Sequence, residues 1–253
     1  MLTFNVHYKQ EENMRIGARV SFDTIDQLDE RYSNIDYPIE LALPWKYYQL
    51  WLPLETSLGR VLEFFLNAGL DILSIHATQG YITEDNFQDW GKKTIEFAEG
   101  LGVKNITVHP NKLKQKKNIS REYYQRKALD MIQVLQNGYQ ARFSIETFMH
   151  HKRVFRPMEL VEMDIPMTLD VAHIKEENMI WSILTRHWKN IPVVHLSAKT
   201  ENGHHFPIDE FCIRVVEFLA GMNWQGIVVL EYLYEYHEQL PDDIAKLHRI
   251  IGY

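Results

Sequence analysis

The sequence is poor in several features that would point to a class of function. Cysteine occurs once in 253 residues, and Cys212 lies in the apolar run Phe211-Cys-Ile-Arg-Val-Val-Glu-Phe-Leu. A cysteine in such a run is more often a buried structural thiol than a nucleophile, so we expect no thiol chemistry. No stretch reaches the roughly 18 to 20 apolar residues of a membrane span, and the first residues lack the pattern of a secretion signal. These absences predict a cytoplasmic protein without a membrane partner.

Basic residues are fewer than acidic ones, with 27 lysine and arginine residues against 34 aspartate and glutamate residues. This balance bears on nucleic-acid binding. The formal net charge is -7 at pH 7, so the chain as a whole does not attract nucleic acid or anionic membrane. A metal-lined cleft could still be locally positive and hold a phosphate. The basic cluster Lys112 to Lys117 is interpreted as a solvated loop or as a phosphate-facing one. Charge therefore disfavours a nucleic-acid partner without excluding it.

Length and composition indicate one ordinary globular domain. The sequence is 45% hydrophobic and 24% charged, without the biases of disordered or fibrous proteins. Its length is close to the roughly 250 residues that one eight-fold barrel needs. We divide the chain into an N-terminal extension, residues 1–14, and a catalytic domain, residues 15–253. The extension is a candidate for contacts in a homo-oligomer.

Short β-rich runs alternate with helical patterns along the chain, as in βαβ units with a parallel sheet. Several helical patterns end in glycine, at Gly69, at Gly100 with Gly102 and at Gly138. An open doubly wound sheet usually has a glycine-rich phosphate loop after its first strand, which here leads into Ser21-Phe-Asp-Thr-Ile-Asp. We therefore predict an α/β fold of the closed (β/α)₈ type, a TIM barrel. The eight predicted strands are 15–20, 35–43, 71–78, 105–110, 143–148, 165–174, 191–198 and 226–233.

In six of these eight runs an apolar stretch finishes in a histidine or an acid, as in Ile72-Leu-Ser-Ile-His76. Alternation places Ser74 with His76, Ser144 with Glu146, and Val229 with Glu231 on shared sides of their strands. In a parallel barrel every strand opens its C-terminal end on the same face, so the terminal residues should converge. The strand-end residues are His76, His109, Glu146, Asp170 with His173, His195 and Glu231.

Converging carboxylates among apolar neighbours indicate a bound cation. An ionised carboxylate is costly to bury unless it is paired or binds a metal, and several together repel one another. Oxygen and imidazole ligands without thiolate suit zinc, manganese, iron or magnesium. Each residue alone also has a structural explanation, because a strand-end histidine is often only a hydrogen-bonded core residue. The joint pattern predicts one or two divalent ions.

Other candidates depend on local geometry. Asp170 and His173 are three residues apart, so both can point inward only if the chain turns near Val171. His204 and His205 are adjacent, and we expect one ligand and one rim residue from them. His150 with His151 is interpreted as surface or rim, and the aromatic residues from Trp45 to Trp51 either pack the first helix or stack on a sugar, with packing favoured.

The motifs together resemble the xylose isomerase-like barrel superfamily, which includes sugar isomerases and epimerases and the endonuclease IV type of nuclease (AP endonuclease family 2). Arg15-Ile-Gly-Ala-Arg-Val-Ser resembles the first strand of the nuclease group. The matching metal-binding segments, in chain order, are Ser74-Ile-His-Ala, Val108-His-Pro, Ile145-Glu, Leu169-Asp-Val-Ala-His, Val194-His-Leu and Val229-Leu-Glu.

The resemblance implies a ligand set. The metal shared across the superfamily would be held by Glu146, Asp170, His195 and Glu231. His76 and His109 would complete a second site against Glu146, and His173 and His205 would belong to a third. The nuclease has an aspartate two residues before the second of these histidines, where this chain has Gly203, so a mononuclear or dinuclear centre is expected.

Two reactions are compatible with this ligand set. The first is isomerisation or epimerisation of a small sugar or sugar phosphate through an enediolate, with Glu146 and Glu231 transferring the proton and His173 or Lys199 steadying a hydroxyl. The second is an endonuclease IV-like phosphodiesterase in which Glu146 bridges two metals. The segment His195-Leu-Ser-Ala198 and Gln79 depart from the nuclease pattern, so a sugar is the preferred partner. A barrel that binds a metabolite without turnover is the third interpretation.

Overall fold

Eight parallel strands close into a barrel. The computed structural model describes residues 13–22, 32, 34–44, 55–77, 82–83, 86–110, 120–149, 153–201 and 203–252. The barrel strands are β1 (Arg15–Ser21), β2 (Ile39–Ala42), β3 (Ile72–His76), β4 (Asn105–Val108), β5 (Arg142–Glu146), β6 (Met167–Asp170), β7 (Val193–Leu196) and β10 (Ile227–Leu230). Their order around the barrel is β1, β10, β7, β6, β5, β4, β3, β2, with every neighbouring pair parallel.

Helices alternate with these strands along the chain. An antiparallel hairpin of β8 (Ala198–Thr200) and β9 (Gly203–Phe206) interrupts the alternation between β7 and β10. The α-helices are α1 (Glu55–Ala68), α2 (Phe87–Gly100), α3 (Arg121–Gln136), α4 (Pro157–Glu162), α5 (Glu177–His187), α6 (Glu210–Gly221) and α7 (Leu240–Ile251). Two 3₁₀ helices, Trp188–Asn190 and Tyr234–Gln239, complete the described elements.

The predicted barrel is confirmed, and each of the eight predicted runs overlaps one barrel strand. Most runs are longer than the strand inside them. Leu43 and Ile174, for example, are 5% and 0% exposed but lie beyond the ends of β2 and β6. Both residues belong to the buried hydrophobic core, and Leu43 also donates its backbone N–H to the carbonyl oxygen of His76. Burial thus keeps the flanking residues apolar beyond the strand ends.

The helix ends follow from backbone chemistry. Gly69, Gly102 and Gly138, which come just after α1, α2 and α3, adopt positive φ angles of 67°, 73° and 88°. Glycine reaches this region without a Cβ penalty, which confirms three of the predicted helix stops. Gly100 is instead the last residue of α2.

The barrel interior changes in polarity from one end to the other. A small apolar cluster of Leu73, Val193, Ile227 and Val229 is separate from the main core between strands and helices. A group of hydroxyls lies inside the barrel on β4, β5 and β6. The Thr168 hydroxyl is 2.8 Å from that of Thr107 and 2.6 Å from that of Ser144. Because side chains alternate along a strand, the next inward positions are the predicted ligands. The barrel interior is therefore apolar at one end and carries charged side chains at the other, which we call the mouth.

Two expectations from the sequence concern the single cysteine and membrane-spanning helices. Cys212 is buried, and its burial raises the pKa of the thiol, in keeping with a structural role. Among the described residues, no helix combines the length and the apolar character that crossing a bilayer requires. The cytoplasmic location stays a prediction from the sequence, and residues 1–12 of the proposed extension lie outside the described residues.

The close approach of β1 to the segment before β2 makes a testable prediction about Gly17. An added Cβ there would lie 2.4 Å from the Pro38 carbonyl oxygen and 2.9 Å from Cδ1 of Leu73. Gly17→Ala should therefore lower the free energy of unfolding by about 1 to 3 kcal/mol. Gly59→Ala, on an open face of α1, is the matched control and should raise it by about 0.5 to 1 kcal/mol. Urea unfolding of both metal-free variants checks this, and equal effects would contradict the packing argument.

Candidate metal centre

The polar residues that end the strands meet at one face of the barrel. Glu146 and Asp170 are the last residues of β5 and β6, His76 is the last residue of β3, and Glu231 directly follows β10. His195 on β7 is in register with Asp170 on one side and with Val229 on the other. The parallel sheet therefore brings these side chains together at the C-terminal mouth, where barrel enzymes carry their active sites.

The carboxylate of Glu146 lies at the centre of this group and is fully buried. Its Oε1 lies 3.0 Å from Nδ1 of His195. Its Oε2 lies 2.7 Å from Nε2 of His109 and 3.8 Å from Nε2 of His76. The two oxygens thus face two different sets of imidazoles, which is the arrangement of a carboxylate that bridges two positions.

His195 faces more carboxylates than one imidazole can satisfy. Nδ1 lies 2.9 Å from Oε2 of Glu231 as well as 3.0 Å from Glu146. One ring nitrogen carries at most one proton, so it cannot donate a good hydrogen bond to both. The other oxygen of Glu231 forms an ion pair with Arg19. The edge of His195 that carries Nδ1 is therefore where negative charge collects.

The chain turns after β6, as the spacing of Asp170 and His173 predicted. Oδ1 of Asp170 accepts hydrogen bonds from the backbone N–H groups of Ala172 and His173, at 2.8 and 3.0 Å. This turn brings Nδ1 of His173 to 3.0 Å from Oδ2 of Asp170. Asp170 therefore fixes the loop with one oxygen and leaves the other for the site.

The arrangement of these atoms fits a divalent cation. Ligand atoms from Glu146, Asp170, His195 and Glu231 all lie within 4.8 Å of one another, and those of His76, Glu146 and His195 form a second such group. Ligands about 2.0 to 2.2 Å from an ion lie roughly 3 to 4 Å apart, so little contraction is needed. The following buried atoms are close to neighbours of opposite character but have no aligned hydrogen bond: Glu146 Oε2, Asp170 Oδ2, Glu231 Oε2, His76 Nε2 and His173 Nδ1. Atoms that aim at a shared point rather than at each other suit zinc, manganese, iron or magnesium.

Charge compensation shifts the pKa values of the site. Burial alone would raise the pKa of Glu146, but His109, His195 and His76 outweigh it and hold that pKa well below its usual range. Arg19 and His195 do the same for Glu231 against its burial. The carboxylates around His195 raise its pKa well above the ordinary value despite burial. Without a metal, a proton on His195 balances part of the carboxylate charge.

His173 shows the same competition at the edge of the site. Its burial would lower its pKa, but Asp170, through charge and contact, raises the pKa of His173 to about 9. This imidazole is therefore protonated at neutral pH unless a metal displaces the proton.

The β8–β9 hairpin adds a second cluster of imidazoles at the mouth. Ligand nitrogens of His173, His204 and His205 lie within 4.8 Å of one another. His205 has a positive φ of 68°, an unusual conformation for a residue with a side chain, and its ring lies near both neighbours. We expected one ligand and one rim residue from this pair. The structure brings both rings to 5.3 Å from the His173 ring, although His204 is exposed.

Two residues of the site were missed by the sequence reasoning. Glu40 on β2 is 0% exposed, and its Oε1 lies 3.0 Å from Nε2 of His195. Arg19 on β1 reaches Glu231. The usable signal was a single charge inside an apolar strand, as in Ile39-Glu-Leu-Ala-Leu. The predicted ligands lie at the C-terminal ends of strands, whereas Glu40 and Arg19 come before the ends of β2 and β1.

Lys199 is not in contact with the ligands. Its ammonium group donates hydrogen bonds to the carbonyl oxygens of Ile174 and Lys175, the second at 3.1 Å, and so ties the hairpin to the loop after β6. Several other candidates lie outside the described residues. They are Gln79, Lys112 to Lys117, His150 with His151, and the aromatic residues from Trp45 to Trp51.

Comparison with solved structures places this architecture among known folds. The 3-keto-D-glucoside 4-epimerase YcjR of E. coli has a TM-score of 0.65 and 16% identity, with 94% of this chain and 100% of that chain covered. Endonuclease IV of Thermus thermophilus has a TM-score of 0.63 and 16% identity, covering 93% and 99%. The IolI protein with a bound zinc atom has a TM-score of 0.63 and 17% identity, covering 94% and 98%. This chain therefore shares its barrel fold with these three proteins.

The likeness is one of fold, because the identities are low. No protein-family model and no curated protein sequence matches the chain. The expected barrel fold is confirmed, and barrels of one fold carry many reactions. The reaction therefore has to be argued from the site.

Metal binding should stabilise the protein measurably. A divalent ion at about 100 times its dissociation constant adds roughly 2.7 kcal/mol, which for a domain of this size raises the unfolding temperature by about 5 to 10 °C. Asp170→Asn should lose most of this increase, because it removes one charge from the ligand group. Glu63→Gln, an exposed carboxylate on α1, should retain it. Thermal unfolding with metal and with chelator checks this. An unfolding temperature of the wild type that does not respond to metal would refute the site.

Proposed function

We propose that this protein is a divalent-metal-dependent isomerase or epimerase that acts on a small sugar or sugar phosphate in the cytoplasm. The observation that carries the proposal is the position of Glu146 and Glu231. Both carboxylates contact Nδ1 of His195, at 3.0 and 2.9 Å, from different strands. Two ionised carboxylates on either side of one position are what removal and return of a carbon-bound proton require.

The residues of the mouth divide the task. A bound divalent ion would chelate adjacent substrate oxygens and acidify the hydrogen on the carbon between them. The pKa values of Glu146 and Glu231 lie well below the usual range, so both carboxylates are ionised. Only the ionised form can take up a carbon-bound proton. His173 lies at the rim and carries a proton at neutral pH in the metal-free protein, so it is placed to donate a hydrogen bond to a substrate hydroxyl.

The charge of the site supports an uncharged polyol. The mouth contains four buried carboxylates and Arg19, so a single divalent ion leaves it with a formal charge of -1 when the imidazoles are neutral. A hydroxyl-rich neutral sugar meets no repulsion there, whereas a phosphodiester would. Within the proposal this favours a free sugar over a sugar phosphate.

Proteins of the same fold add support by analogy. They include the 3-keto-D-glucoside 4-epimerase and a D-tagatose 3-epimerase-like protein, which has a TM-score of 0.67 and 14% identity. The IolI structure contains zinc. Analogy at this identity raises the plausibility of sugar chemistry, and the geometry of Glu146 and Glu231 makes the argument specific.

The test is exchange of solvent deuterium into sugars by the metal-loaded protein. We expect incorporation at one carbon of at least one sugar in a broad panel of aldoses, ketoses and keto-glycosides, followed by mass spectrometry. Glu231→Gln should reduce the exchange rate by about 10²- to 10⁴-fold. Glu63→Gln should not change it. Metal content is measured in each sample, so that loss of exchange beyond loss of metal is attributed to proton transfer. No exchange into any sugar by metal-loaded wild type would refute the proposal.

A second candidate is a phosphodiesterase, and one observation favours it. The two oxygens of Glu146 face separate sets of imidazoles, with His109 and His76 on one side and His195 on the other. Two ions bridged by Glu146 would make the mouth net positive and attractive to a phosphodiester. The cluster of His173, His204 and His205 offers further ligands.

Metal stoichiometry separates the two candidates. For sugar isomerisation we expect one ion per chain by elemental analysis, unchanged in His109→Ala. Two ions in the wild type, falling to one in His109→Ala, would favour the phosphodiesterase. Hydrolysis of abasic duplexes or simple phosphodiesters by the metal-loaded protein would then decide for it.

A further inference from the structure

Glu40 has a narrowly defined set of contacts. Its carboxylate is fully buried on β2. Oε2 accepts a hydrogen bond of 2.7 Å from the Ser74 hydroxyl. Oε1 lies 3.0 Å from Nε2 of His195, although the two atoms are not aligned as a hydrogen bond in the metal-free protein. Among the described residues, no lysine or arginine nitrogen lies within ion-pair distance of it. A buried carboxylate is costly without a partner, so His195 is the group that stabilises this charge at contact distance.

Glu40 approaches His195 from the edge opposite to the other carboxylates. Glu146 and Glu231 contact Nδ1, whereas Glu40 contacts Nε2. The two nitrogens of an imidazole point away from each other. An ion held by Nδ1 together with Glu146 and Glu231 is therefore on the far side of the ring from Glu40. Glu40 is placed to hold the histidine and not the ion.

The sheet itself fixes Glu40 in this position. The pairing of β2 with β3 shifts register at Glu40, so that Ile39 pairs with Ile72 but Glu40 pairs with Ser74. A bulge of this kind re-aims a side chain and is frequent beside active sites. It places the Ser74 hydroxyl against one oxygen of Glu40 and leaves the other oxygen for His195.

We propose that Glu40, held by Ser74, is a positioning residue. It accepts a hydrogen bond from the Nε2–H group of His195 when Nδ1 binds the metal, and so keeps Nδ1 directed towards the ion. A histidine that binds a metal with one nitrogen commonly donates its other N–H to a carboxylate, which fixes the tautomer and raises the basicity of the ligand. The proposal rests on the metal centre of the proposed function but not on its sugar chemistry.

The test measures metal affinity and coordination. Zn²⁺ affinity is determined by competition with a chromophoric chelator, and the coordination geometry is followed by the absorption of the Co²⁺-loaded protein. We expect about 10-fold weaker Zn²⁺ binding for Glu40→Gln and up to about 100-fold for Glu40→Leu. The number of ions at saturation and the shape of the Co²⁺ spectrum should stay as in the wild type, because Glu40 does not touch the ion.

A double-mutant cycle distinguishes positioning from a structural role. Ser74→Ala should weaken Zn²⁺ binding in the wild type but should have no further effect in the Glu40→Leu background, because the hydroxyl acts through Glu40. Ser144→Ala is the matched control, since this buried hydroxyl bonds Thr168 instead, and it should leave affinity unchanged. Circular dichroism of the chelated variants checks folding, and if Glu40→Leu does not fold, Glu40→Gln and Ser74→Ala carry the test.

Several results would overturn this role. Wild-type Zn²⁺ affinity in Glu40→Gln, or an effect of Ser74→Ala that persists fully in Glu40→Leu, would show that Glu40 does not position His195. A lower saturating stoichiometry would make Glu40 a ligand. Normal Zn²⁺ binding by the wild type without sugar exchange, combined with the expected Glu40 effects, would refute the proposed reaction and leave the positioning role standing.

Discussion

Four buried carboxylates repel one another inside this barrel, and the surrounding residues have to compensate their charge. Glu40, Glu146, Asp170 and Glu231 approach one another at the mouth of the barrel, and three of them are fully buried. Arg19 supplies one fixed positive charge. Protons on His195 and His173 balance part of the remainder in the metal-free protein. A divalent ion would balance more of it, because oxygen and nitrogen atoms already converge on one position. The mouth is thus organised for a cation before one binds.

The barrel makes this concentration of charge possible. On β4, β5 and β6 the inward hydroxyls of Thr107, Ser144 and Thr168 come two residues before the ligand positions. A small apolar cluster lies farther from the mouth. The charged layer is held by residues from separate strands, which cannot move independently of the sheet. Accuracy of placement comes from the scaffold, while the loop after β6 and the β8–β9 hairpin bring His173, His204 and His205 over the mouth.

Much of this architecture is predictable from the sequence because the pattern of apolar residues is periodic. Strands and helices alternate with regular spacing, and the acids and histidines stand at the ends of apolar runs. Glu40 and Arg19 escaped prediction because a charge in the middle of a strand usually faces solvent, and only closure of the barrel turns it inward. The bulge that pairs Glu40 with Ser74 depends on the register of two strands, which the sequence does not express. The positive φ of His205 is likewise a tertiary effect, since local propensity disfavours it.

Anomalous diffraction from crystals of the protein loaded with Mn²⁺ or Zn²⁺ would locate the ion itself. We expect a strong peak on the Nδ1 side of His195, within coordination distance of Glu146, Asp170 and Glu231, with Glu40 on the opposite edge of the ring. A mouth without a peak under saturating metal, or an ion bound only elsewhere on the protein, would contradict this expectation.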